Sequence, residues 1–238
     1  MNRRFFVNSP ISGDRARLVG SEARHLAMVL RARVGESVLL FDGSGAEFDA
    51  RVVRIGRTEV DLAVVAHHEV DRELPRSLTL AVALPKGDRQ RWLVEKSVEL
   101  GVTRLVPLET ARGVAQPGDR ALDRLQRAVI EASKQCGRNR LMEISPPQRL
   151  NDFLRGVPDE TLRLIAHPDG AARPPGYWLG KAAWRPVCIA VGPEGGFNDQ
   201  EIAGAGDCPL VSLGPRLLRI ETAALALAAA VCLAWNPR

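Results

Sequence analysis

Two stretches of the chain carry residue types that a binding or reacting site needs. IAVGPEGGFNDQE, from Ile189 to Glu201, sets Gly192, Gly195 and Gly196 around Glu194. VSLGPRLLRIETA, from Val211 to Ala223, sets Leu217, Leu218 and Arg219 between a Gly214-Pro215 turn and Glu221. Glycines let backbone approach a ligand closely, or take turns barred to other residues. A phosphate loop needs GxxxxGK[ST], whose lysine and hydroxyl meet phosphate and magnesium, and the first stretch has neither. A dinucleotide fingerprint needs GxGxxG with an acidic residue about 20 positions on. Here the glycine spacing differs and Asp207 comes sooner. Glu194 repels a phosphate at short range and tolerates a cation. The chemistry left is a nucleoside-like ligand without phosphates, held by backbone groups. The same glycines also fit a tight strand-to-helix turn with no ligand. Asn198 with Glu201 three residues on has a structural role, the capping of the next helix.

Both stretches leave apolar runs, PVCIAVG and PLVSLG, through a Gly-Pro turn. Ligands of α/β sheets sit at the carboxyl ends of strands, so the two turns can face each other around one ligand. The runs LTLAVAL, RLVPLE and TLRLIAH read as further strands. Between them, DRQRWLVEKSVELGV spaces Leu93, Lys96/Ser97 and Leu100 as a helix does. DRALDRLQRAVIEASKQCG lines Leu122, Leu125, Val129, Ala132 and Cys136 on one side. The chain ends in an Ala-rich helix, ETAALALAAAVCLAW. Continuous apolar strands between helices predict a mostly parallel sheet covered on both faces. Ala171 to Pro186 is the longest irregular stretch.

The first residues read differently. Ser21 is a candidate N-cap for EARHLAMVLRAR, with Leu26, Val29, Leu30 and Arg33 on one helical face. SVLLF, AEFDARVVRI and TEVDLAVVA are strand-like, and DGSG, from Asp42 to Gly45, is a hairpin turn between the first two. Alternation puts Phe48, Ala50, Val52 and Arg54 together. Short, closely spaced strands predict a compact barrel. The polar HHEVDRELPRS, His67 to Ser77, reads as a linker, which gives domains 1–72 and 73–238.

Composition narrows the class. The 238 residues are 45% hydrophobic, enough for a buried core, and the net charge is +5. Ala111 to Arg149 holds 8 basic against 4 acidic residues, a local field that suits an anionic polymer such as RNA or a solvated arginine-rich face. Cys136, Cys188, Cys208 and Cys232 lack CxxC spacing, and His25, His67, His68 and His167 do not complete a ligand set, so no metal is expected. MNRRFFVNSP lacks the apolar stretch of a signal peptide. The apolar run from Ala223 to Trp235 is too short to span a bilayer. A reducing cytoplasm is the expected compartment.

GPEGGF followed by VSLGPRLLRIETA resembles the RsmE family of 16S ribosomal RNA methyltransferases, in the SPOUT superfamily. RRFFV, HLAMVLRARVG, LPKGDRQRWLVEKSVELGV and EASKQCGR fall in the family's order, so the resemblance covers the whole chain. One departure is Arg140-Leu141-Met142, where family members usually carry a proline. The resemblance implies an α/β protein with an N-terminal PUA-like β-barrel for RNA and a C-terminal SPOUT α/β domain with a deep trefoil knot. It implies a homodimer that binds S-adenosyl-L-methionine in the knot and makes 3-methyluridine at one site of 16S ribosomal RNA, free or in the small subunit. It implies neither metal nor membrane.

Carried over by motif, Ala166 and His167 end one cofactor strand. Gly192, Glu194 and Gly195 form a second wall, and Leu213, Gly214, Leu217, Leu218 and Arg219 a third. Uracil N3 reacts only once its proton leaves, so a base or a stabiliser of charge on the neighbouring carbonyls must help. Arg219 is the candidate for the charge, and Glu194 or Glu221 for the proton. Glu221 has an alternative role at a helix N-terminus. Candidate RNA contacts are Arg3, Arg4, Arg31, Arg33, Lys86, Arg124, Arg127, Lys134, Arg138 and Arg140, each of which also fits a plain surface role.

Overall fold

The computed structural model describes residues 3–114, 117–168, 172–180 and 184–235, so 171 and 181–183 of the irregular stretch lie outside the described residues. The chain divides into two compact units. The first is residues 1–73 with 130–141, and the second is 74–129 with 142–238. Where the linker predicted a single cut, the first unit takes back a later piece of chain.

The first unit is built on β1 (Arg4–Phe6), β2 (Arg15–Val19), β3 (Ser37–Phe41), β4 (Ala46–Ile55) and β5 (Glu59–Glu69). They form one sheet in the order β1-β3-β4-β5-β2. Only β1 and β3 pair in parallel. Strands β3, β4 and β5 are the three expected runs, and β5 extends into the expected linker. Phe5, Leu18, Leu40, Phe48 and Leu62 fill the core beneath the sheet. Arg54 leaves the face of Phe48, Ala50 and Val52 because the β4–β5 register shifts between Val52 and Arg54. Its guanidinium donates outward to Asp61 at 2.7 Å and Glu59 at 2.5 Å.

The helix expected from Ser21 is also different. Helix α1 (Gly20–Arg24) has Val19 as N-cap with no side-chain cap, and runs into a π-turn over His25–Val29. The π-turn closes with Leu30 N donating to His25 O at 2.9 Å. The wider turn rotates the apolar face, so Leu26 is buried and Val29 is exposed.

The second unit contains β6 (Leu78–Val82), α2 (Arg89–Glu99), β7 (Arg104–Glu109), the start of α3 (Asp119–Cys136), β8 (Glu143–Ile144), β9 (Gln148–Arg149), α4 (Leu150–Arg155), β10 (Leu162–Ala166), α5 (Pro175–Leu179), β11 (Val187–Val191), α6 (Asp199–Gly204), β12 (Leu210–Val211) and α7 (Ile220–Trp235). The sheet order is β12-β10-β11-β6-β7-β8, with β9 also on β7, and every pairing is parallel. Successive side chains point to opposite faces. Ala81, Val106, Ile165, Cys188 and Ala190 therefore meet Leu150, Phe153 and Leu154 of α4 and the flank of α6. On the same principle Leu80, Val82, Ile189 and Val191 turn to the other face, where α7 packs on β6, β11, α2 and α5. That two-sided burial is why the strands read as unbroken apolar runs. No helix among the described residues is long and apolar enough to cross a membrane.

Candidate active site

Three parallel neighbours, β12, β10 and β11, end at one edge of the second sheet, and the chain leaving each end forms a wall of a cavity of about 420 Å³. Ala166, His167 and Pro168 leave β10, residues 192–197 leave β11, and Ser212 to Leu218 leave β12. Ile220, Ala223 and Leu227 form an apolar wall from α7. Bonds between loops fix the rim: His167 N donates to Val211 O at 3.0 Å, and Ala83 N donates to Val191 O at 2.9 Å.

The glycine loop turns tightly, with Gly196 N donating to Pro193 O at 2.8 Å and Gly196 at φ +70°. Gly192 serves packing instead. A Cβ there would lie 3.1 Å from the buried Phe197 ring, so the missing side chain lets the ring close under the loop. The loop then enters α6 through the expected capping box. Glu201 N donates to Asn198 Oδ1 at 2.7 Å, and Asn198 N donates to Glu201 Oε2 at 2.8 Å. The other oxygen of Glu201 accepts from Ala111 N at 2.9 Å. Next to that contact, Arg112 Nη1 donates to Gly195 O at 2.7 Å, and Arg112 lines the cavity.

Of the expected site residues, the structure brings Ala166, His167, Gly192, Glu194, Gly195, Leu213, Gly214, Leu217 and Leu218 to this one cavity. Arg219 and Glu221 are not in its lining: Arg219 is exposed, and Glu221 is buried at the start of α7. Arg89 stands between the two acids, with Nη1 3.6 Å from Glu194 Oε1 and 3.5 Å from Glu221 Oε1. Glu221 Oε2 is buried with no hydrogen-bond partner among the described residues. Sequence reasoning missed Arg89 and Arg112, which arrive from elements far from the two glycine loops in the chain; Arg89 stands within LPKGDRQRWLVEKSVELGV but has no assigned role there. It also missed Ile220, Ala223 and Leu227, although their helical spacing was a usable signal.

The expected RNA contacts separate into groups. Arg31, Arg33, Lys86, Arg124, Arg127 and Arg140 are exposed, and Arg3 pairs with Glu36. Arg4 and Arg138 are corrections. Arg4 is buried, donating to Glu47 Oε2 at 3.0 Å and to Arg138 O at 3.1 Å. Arg138 is buried against Glu73. Exposing either guanidinium to RNA would strand a carboxylate inside the first unit. Lys134 is also committed, to Glu22 at 2.8 Å and Glu131 at 3.0 Å. Burial alone would lower its ammonium pKa, but these hydrogen bonds outweigh that and hold it above the usual lysine value. Lys96, on α2, pairs with Glu99 at 2.6 Å.

Comparison with known proteins agrees with this architecture. Residues 72–232 match the RNA methyltransferase domain model, and residues 18–65 match the RNA methyltransferase PUA domain model. A ribosomal RNA small subunit methyltransferase E of a Synechocystis strain is 34% identical over 87% of this chain and 69% of its own. The crystal structure of a protein of that name from Neisseria gonorrhoeae, bound to S-adenosyl methionine, superposes with a TM-score of 0.88 at 34% identity, covering 99% of this chain and 98% of its own. A methyltransferase from Legionella pneumophila in complex with the same cofactor gives a TM-score of 0.84 at 33% identity, covering 98% of each chain. With its domain models, its length and its fold all matched, this chain belongs to the ribosomal RNA small subunit methyltransferase E family.

Proposed function

We propose that the chain transfers a methyl group from S-adenosyl-L-methionine to N3 of one uridine of 16S ribosomal RNA. The observation that carries this reading is the cavity at the ends of β10, β11 and β12. Its size falls within the range of about 300–1,000 Å³ that small-molecule pockets occupy. Leu213, Leu217, Leu218 and Leu227 offer apolar surface for an adenine, and the carboxylate of Glu194 suits a cation. When bound, the cofactor supplies a methyl group on a positively charged sulfur. Glu194, on the cavity wall, is the first candidate to accept the N3 proton. Glu221, with its unpartnered buried oxygen, is the second. Arg219, next to Leu218 of the wall, holds the negative charge that develops on the uracil oxygens.

The finer parts of the reading have their own support. The trefoil knot is part of the reading as the family resemblance implies it; α7 follows the edge strand β12 and lies over β11 and β6. A homodimer is supported by the exposed Leu233 of α7, and a reducing cytoplasm by the four free cysteines. The RNA is held by Arg31, Arg33, Lys86, Arg124, Arg127 and Arg140, while Arg3 stays with Glu36.

Calorimetry with S-adenosyl-L-methionine, together with mass mapping of rRNA from a strain lacking the gene, tests the proposal. We expect saturable binding that Leu218→Asp abolishes, and one uridine that loses its N3 methyl. Donor binding that Leu218→Asp leaves intact would move the site elsewhere. An unchanged rRNA methylation map would remove the assigned substrate.

A further inference from the structure

The segment from Ala23 to Val34 ends in an unusual way. Leu30 is the C-cap of the π-turn, and Ala32 N donates back to Leu26 O at 3.1 Å, which leaves Arg31 in the left-handed region at φ +50°. Glycine is the ordinary residue at that position, because a Cβ there strains against the backbone. Here an arginine occupies it. Strained positions of this kind cluster where a side chain serves a ligand.

The surroundings indicate which ligand. The segment contains no acidic residue. The nearest acids in sequence are already committed, Glu22 to Lys134 and Glu36 to Arg3. Arg24, Arg31 and Arg33 are exposed and have no ion pair among the described residues. Interleaved with them are three aliphatic side chains open to solvent: Met28 at 70%, Val29 at 67% and Val34 at 65% exposure. A duplex backbone would use the charges alone. Exposed apolar groups among unpaired guanidinium groups suit RNA whose bases are unstacked: the arginines meet phosphates and base planes, and the aliphatic groups bury apolar area against base faces.

We propose that this segment is an RNA-reading element for single-stranded or looped rRNA, in which Arg31 is a phosphate contact and Met28, Val29 and Val34 pack on splayed bases. The assignment rests on the rRNA substrate proposed above. Its test is fluorescence anisotropy of the full chain with a 16S rRNA transcript across a salt series, next to thermal melting and S-adenosyl-L-methionine binding. Arg31→Gly relieves the left-handed strain, so it should melt no lower than wild type, yet bind about fivefold more weakly in 0.1 M salt with a slope shallower by about 0.7. Arg31→Asn, which also tolerates that backbone conformation, should behave alike. Met28→Ser should weaken binding with the slope unchanged, and donor binding should stay at the wild-type level in all three.

If wild type binds and methylates the transcript and the variants match it, the element is wrongly assigned. Variants that match wild type on the transcript but fail on assembled small subunits would point to a protein partner and overturn the RNA assignment. A wild-type chain that neither binds nor methylates rRNA overturns the substrate reading, and this one with it.

Discussion

Glu47→Ala removes the carboxylate that faces two arginines inside the first unit. Arg4 Nη1 and Arg72 Nη1 each lie 3.0 Å from Glu47 Oε2. The Arg4 side chain is 2% exposed and that of Arg72 is 41% exposed. In the variant Arg72 turns to water at little cost, whereas Arg4 stays buried. Its remaining acceptors are the carbonyls of Gly137 and Arg138 and the side chain of Asn139, none of them charged. Removing one partner of a buried pair costs about 3–5 kcal/mol. Because the second arginine is solvated and neutral acceptors persist, about 3 kcal/mol is expected. In a chain of this size that lowers the melting temperature by roughly 6–12 °C.

The pH dependence has a definite sign. Burial would raise the Glu47 carboxyl, but hydrogen bonds from Arg72 and Arg4 outweigh it and hold the pKa below its ordinary 4.5. A depressed carboxylate contributes stability that is complete above the unfolded-state value and is lost as pH falls through the folded one. Melting followed by circular dichroism should therefore show a constant gap between wild type and Glu47→Ala from pH 7 down to the ordinary value of 4.5, narrowing only below it. Replacing the pair together, as Arg4→Met with Glu47→Leu, should recover most of the loss. A Glu47→Ala melt within about 2 °C of wild type, or a double variant less stable than the single one, would refute this account of the buried pair.

Two further outcomes are expected. Asn198→Ala should cost about 1 kcal/mol in urea unfolding by removing the cap of α6, and Asn198→Ser should restore most of it; equal loss in both would show that the amide serves something other than the cap. Burial pushes the Cys188 thiol up to about 12 and the Cys208 thiol up to about 11. At pH 8, mass spectrometry of the native protein treated with a thiol reagent should find these two unmodified and Cys136 modified first, with all labelled in urea.

Much of the second unit was legible because its strands are buried on both faces and its helices are strongly periodic. PVCIAVG and LTLAVAL, short apolar runs between helical segments, read as strands of a central parallel sheet. The two Gly-Pro turns were legible as a pair because the chemistry of a strand end is local. What was not legible is non-local. Arg112 reaches the cavity, and Arg89 reaches Glu194 on its wall, from segments whose own sequence gives no sign of it. The ionic commitments of Arg4, Lys134 and Arg138 depend on partners 43, 112 and 65 residues away, respectively. An arginine in sequence is a charge; only packing decides whether that charge is available. The π-turn was missed for a related reason, since EARHLAMVLRAR satisfies an ordinary helical pattern and nothing in its residue types demands a wider turn.

The first unit owes some of its interior to residues 130–141, whose backbone accepts from Arg4 and whose Lys134 and Arg138 close on Glu22 and Glu73. During synthesis, then, the leading strands emerge from the ribosome well before these partners do. The nascent sheet must wait, with Arg4 lacking several of its acceptors, until residues 130–141 have been made. Neither unit is a module that evolution could have shuffled by a single cut, and the order of translation makes the amino-terminal unit wait for the last of its own parts.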